Sequence, residues 1–172
     1  MEWIKLSIAP IKDLIEFLTK KSKTTDIYKK QLFIELRNNL NVFRNGFMNE
    51  VPYDKLIDLL TNQAIQDAVK ENFPFKKLKP GKIKASDIQD ERNKKYIGWD
   101  TEKLLDKIDE KIVELKNIKK MNNDTVEQVK NNIPLMMSNL YYRIKLLVEF
   151  IRSDDKKQHA QLIEDGGTGT TS

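Results

Sequence analysis

Apolar residues recur along most of this chain at alternating spacings of three and four, the signature of amphipathic helices. Residues 2–21 carry a seam of Ile4, Ile8, Ile11, Ile15 and Leu18. Pro10 lies inside it, so the helix either begins near Ala9 or kinks there. Trp3, Ile4, Leu6 and Ile8 would suit a membrane surface, but the polar side mixes Glu2, Asp13 and Glu16 with Lys5 and Lys12, which favours a core helix. Thr24, Thr25 and Asp26 offer caps for a second helix, Asp26 to Met48, with Leu32, Leu36, Leu40, Phe43 and Phe47 on one face. Gly46 and Val51-Pro52 end it. A third helix is predicted from Tyr53 or Asp54 to about Asn72, burying Leu56, Ile57, Leu60, Ala64, Ala68 and Val69 before Phe73-Pro74 stops it.

No lasting period holds over residues 74–85. Ser86 to Gln89 has capping-box spacing and predicts a short helix that ends before Gly98, with Tyr96 and Trp99 as anchors. The fourth long helix starts at Asp100 or Thr101, on a seam of Leu105, Ile108, Ile112 and Leu115, with Ile118 widening its end. Asn122-Asn123 form a turn, and Asp124 with Glu127 predicts the start of the last helix. Val126, Val129, Ile133, Met136, Leu140, Ile144, Leu147 and Ile151 keep its period, with a kink expected at Pro134. Strand alternation does not recur. The expectation is an all-α, mainly antiparallel bundle of about five long helices in a domain spanning 1–152. A basic loop and short helix interrupt it at 73–99, and a flexible tail follows at 153–172.

Composition narrows the chemistry. With no Cys there is no disulfide framework, zinc ribbon or thiol nucleophile, and one His cannot supply a His-rich metal site. No apolar run is long enough for a membrane span, and no signal-peptide pattern opens the chain. We therefore expect a cytoplasmic protein with no metal and no cofactor. The bias toward Lys, Ile and Asn fits an AT-rich bacterial genome.

The formal charge of +5 is not spread evenly: residues 73–99 alone hold eight cations and three acids. Lys76, Lys77, Lys79, Lys82 and Lys84, helped by Arg92, are the candidate anion-binding residues for a nucleic acid or other polyanion. Lys is a hydrated point charge that also serves plain solubility, so a solvated surface is the competing reading.

Acids at 102, 106, 110 and 114 line one edge of the fourth helix, but Lys103, Lys107 and Lys111 each precede an acid by three residues, which reads as a charge-laced solvated face. Gly166-Gly-Thr-Gly169 lacks the following helix that a phosphate loop needs. Asn139 and Arg143 beside Leu140 and Ile144, and Arg37 and Asn38 beside Leu36, border the apolar seams and need partners if enclosed.

Arg152 and His159 are separated by six residues after the long run of the last helix. In this respect the chain resembles the HEPN superfamily, whose helical bundles often carry an Arg-x4-6-His motif and act as dimeric, metal-independent ribonucleases. The resemblance implies Arg152 as a phosphate-stabilising group and His159 as general acid or base. Ahead of this reading and of polyanion binding, the sequence favours a non-enzymatic protein acting through protein contacts or self-association, because long amphipathic helices can offer an apolar stripe to a partner.

Overall fold

A computed structural model describes residues 8–166, with side-chain surroundings given for 11–155 and 161–164. The protein is all-α: α1 (Ile8–Lys21), α2 (Ile27–Met48), α3 (Tyr53–Leu59), α4 (Gln63–Lys70), α5 (Thr101–Met121) and α6 (Ile133–Gly166), with short 3-10 turns between α4 and α5. Among the described residues the only bridge outside helices is an isolated pair, Lys82 with Asp100.

Local chemistry sets most helix starts. Pro10 lies within α1 as described from Ile8 onward. Asp26 caps α2 by accepting the N–H groups of Tyr28 and Lys29, both at 3.2 Å. Asp100 does the same for α5 through Lys103 N–H at 2.9 Å. Gly46 lets α3 cross close to α2, because a Cβ there would overlap the Leu56 side chain.

The predicted third helix is two helices. The chain breaks at Leu60, Thr61 and Asn62, although its apolar period runs straight through. Two side chains of α2 cause the break. Asn39 donates to Thr61 O at 2.8 Å and accepts Thr61 N–H at 2.9 Å, replacing helical partners for that residue. Glu35 accepts the N–H groups of Ala64 and Ile65, at 2.8 and 3.1 Å, and so caps α4 from another helix.

The last helix also differs from expectation. It begins at Ile133, not near Asp124, and Pro134 lies in its first turn without a kink. Asn132 Oδ1 accepts Leu135 N–H at 3.1 Å at that start. Residues 124–132 form turns, fastened to α3 where Asp54 accepts Thr125 Oγ1–H at 2.8 Å and Val126 N–H at 2.7 Å. At the other end α6 continues past Arg152 to Gly166, so residues 153–166 are helical; 167–172 lie outside the described residues.

α6 is the axis of the fold. No residue from Met136 to Asp155 is exposed, and α1, α2, α5 and the 3-10 turns Ala85–Asp87 and Glu91–Tyr96 pack on it. A helix enclosed on every side must also enclose its polar residues, and α6 carries Ser138, Arg143 and Lys145 into the interior.

Candidate functional site

The basic excursion at 73–99 is tied to the body along its whole length. Phe73, Phe75, Leu78, Ile83 and Tyr96 are buried in the core. Ile83 and Gly98–Trp99 exchange backbone hydrogen bonds at 2.8 Å, with Gly98 at φ +89°, a conformation that favours glycine. Tyr96 packs edge-on against Trp99 with centroids 4.9 Å apart, so both aromatics anchor the excursion. In place of the expected short α-helix from Ser86 there are 3-10 turns at Ala85–Asp87 and Glu91–Tyr96. The cap sits at Lys84, whose N–H donates to Asp87 Oδ2 at 2.8 Å.

The six candidate cations fall into separate settings. Lys76, Lys79 and Lys82 line a groove of about 440 Å³, but Asp100 and Glu102 line it too. Lys79 is buried, paired with Asp154 and held over the Phe150 ring at 5.2 Å. Lys77 and Lys84 are exposed. Arg92 points to α6: it donates to Ser138 Oγ at 2.9 Å and Asn139 Oδ1 at 2.5 Å, and its guanidinium lies 4.2 Å from the Tyr142 ring centroid.

Arg152 is half-buried on α6, where its charge acts on Glu149. His159 follows two turns later on the same helix, and its side chain lies outside the described residues. On α5, Lys107 pairs with Glu110 at 3.2 Å and Lys111 with Glu114 at 2.6 Å, while Lys103 stacks on Trp99. Those contacts make this edge the charge-laced face its spacing implied.

Two sites stand out of which the sequence marked only single members, Arg143 in one and Asn38 in the other. The first is a buried polar seam between α6 and the 3-10 turn Glu91–Tyr96. Lys145 donates to Asp90 at 2.7 Å and lies 3.4 Å from Glu149. Burial pulls the Lys145 ammonium down, but the Asp90 hydrogen bond and the Glu149 charge outweigh it, and its pKa stands above the ordinary Lys value. Burial pushes the Glu149 carboxyl up by more than Lys145 and Arg152 pull it down. Arg143 Nε donates to Tyr96 Oη at 2.7 Å. Asn93 Nδ2, Arg143 Nη1 and Glu149 Oε2 are buried here without a hydrogen-bond partner.

The second is a groove of about 350 Å³ between α2 and α3. Asn38, Asn41, Asn45 and Asn49 line it along one face of α2. Val42, Val51, Leu56 and Leu59 supply its apolar surface, and Leu59 stays 58% exposed. No charged residue lines it, in a chain that is 33% charged.

No protein-family model, no curated protein and no solved structure matches this chain. Among the described residues no helix is long and apolar enough to cross a membrane.

Proposed function

We propose that this is a non-enzymatic interaction or regulatory protein of the bacterial cytoplasm, a mainly antiparallel bundle that works through protein contacts. The α2–α3 groove is its docking surface, and its occupant is an extended, uncharged peptide segment of a partner protein. The Asn face of the groove carries this reading. A carboxamide offers one donor side and one acceptor side, the same pair a peptide unit presents. Asn41 and Asn45 lie four residues apart, about 6 Å along a helix, and an extended chain repeats every two residues at about 6.6–6.8 Å; Asn49, the C-cap of α2, spends its Nδ2 on Asn45 O at 2.9 Å. Successive amides can therefore meet alternate peptide units, while side chains between them reach Val42, Leu56 and Leu59. Among the described contacts, none engages the side chains of Asn38, Asn41 or Asn45. The absence of charge in the groove matches an uncharged segment, since a buried charge would lack a partner.

Selection from a random nonapeptide library, with affinities read by fluorescence anisotropy, tests this. Selected peptides should be poor in charge at their centre. Asn41→Ala and Asn45→Ala should each weaken binding about tenfold, the loss of one well-made hydrogen bond. Methylating alternate peptide nitrogens should do the same. Peptides that bind both variants as tightly as the wild type would refute the groove as the docking surface.

The exposed Lys76, Lys77, Lys82 and Lys84 support a second reading, polyanion binding by the excursion. It requires binding that falls steeply with salt and is lost when the four are changed to Gln.

A further inference from the structure

The geometry points to a small-oxyanion site on the seam between α6 and the 3-10 turn Glu91–Tyr96, built by Arg143 and Asn93, with Arg92 at its outer end, and taking inorganic phosphate. Arg143 is 7% exposed and Asn93 1% exposed, so both are enclosed, and each keeps a donor atom that nothing among the described residues accepts. Asn93 and Tyr96 are three residues apart in a 3-10 turn, where such positions eclipse, and that turn packs on α6. Tyr96 Oη already sits on Arg143 Nε, which places Asn93 on the side of the turn that faces Arg143. Arg92 bonds Asn139, one helical turn before Arg143 on the same face of α6. Arg92 thus binds the turn of α6 that leads into Arg143.

Among the described residues neither Arg92 nor Arg143 has a carboxylate partner; their acceptors are the neutral Tyr96, Ser138 and Asn139. The two acids of the seam, Asp90 and Glu149, both pair with Lys145. A buried guanidinium with only neutral acceptors is costly, and a bound anion removes that cost while accepting from Arg143 Nη1 and Asn93 Nδ2 together. Arg92 is exposed and marks the end through which an ion reaches the seam. The enclosure of the inner donors selects a small ion over a polymer, so this site is distinct from the Lys groove.

Thermal unfolding of the full chain with millimolar sodium phosphate, against sodium chloride at matched ionic strength, tests the proposal. The wild type should show a saturable rise in Tm, about 3–6 °C at tenfold the dissociation constant, which chloride does not reproduce. Arg143→Met should abolish the response. Asn93→Asp fixes a carboxylate opposite Arg143; it should raise Tm in phosphate-free buffer and remove the response. Lys76→Gln with Lys82→Gln should leave it intact. No saturable rise in the wild type would mean the donors hold ordered water only and would overturn the site. A response kept in Asn93→Asp, or lost in the double Lys variant, would also overturn it.

Discussion

Replacing Glu35 with Ala should destabilise the protein by about 3 kcal/mol, read as a fall of roughly 6–12 °C in Tm for a chain of this size. Glu35 belongs to α2, yet both its oxygens are spent on the first turn of α4, accepting Ala64 and Ile65 N–H. Ile65 is buried, so water cannot take over its donor once the carboxylate is gone. Burial pushes the Glu35 carboxyl above its ordinary pKa despite those two hydrogen bonds, with Asp109 and Asp67 adding to the rise. The site therefore accepts a costly buried acid for the sake of the cap. Glu35→Gln keeps one oxygen and should lose about half as much. Urea unfolding of the three proteins gives the comparison, and an Ala variant within about 1 kcal/mol of wild type would show that Glu35 does not hold the 60–62 break.

That break shows where sequence reading stops. Helices α2 and α5 were legible because apolar period, cap and stop signals agreed with one another at each of them. Between Leu60 and Asn62 the local signals favour a continuous helix, and the deciding groups lie more than twenty residues upstream. A trace was nevertheless present. Glu35 and Asn39 flank Leu36 and Leu40 at a spacing of four, so two polar residues sit on the stripe that faces the core. The polar residues enclosed on this stripe are Glu35 and Asn39, whereas Arg37 is half-buried and Asn38 is exposed at the edge of the α2–α3 groove. Pro134 misled in the other direction. The apolar run from Val126 to Ile151 read as one helix, in which an interior proline must kink; the structure starts the helix next to the proline instead.

The candidate sites were legible in the same uneven way. The charge excess of 73–99 was visible as composition, but composition could not say that Lys79 turns inward to Asp154 or that Arg92 turns to α6. Arg143, flagged beside its seam, is buried at 7% exposure. The covering of α6 from Met136 to Asp155 was not legible, because a run such as Ile144 to Ile151 reads equally as a wide stripe until neighbours are placed around it. For the same reason the Asn face of α2 looked like ordinary solvent surface. Asn38, Asn41, Asn45 and Asn49 gain meaning only when α3, brought close over Gly46, forms the other wall of a groove.

Lys145→Ala should carry the larger of the two penalties, about 3–5 kcal/mol, and that penalty should grow with pH. Lys145 is enclosed, and its ammonium holds two carboxylates, Asp90 at 2.7 Å and Glu149 at 3.4 Å. Removing it leaves both acids facing each other in a poorly solvated seam. In the wild type the folded pKa of Glu149 already stands above the ordinary glutamate value, chiefly through burial. A raised acid pKa means that the native state binds the proton more tightly than the unfolded state. Its contribution is complete below the unfolded pKa and is lost as pH rises through the folded one. Without Lys145 the strongest charge lowering that pKa disappears, so the folded value climbs further and the stability of the variant falls over a wider range. Urea unfolding at pH 5 and pH 8 should therefore find the deficit smaller at pH 5, where protonation relieves Glu149, and larger at pH 8. Lys145→Met combined with Glu149→Leu removes the more deeply buried of the two acids along with its partner and should recover part of the loss, because an apolar pair carries no desolvation cost; Asp90 remains, with its side chain 23% exposed and within reach of water. A deficit equal at both pH values, or no recovery in the double variant, would mean that Lys145 contributes through the packing of its stem and not through the acids it holds.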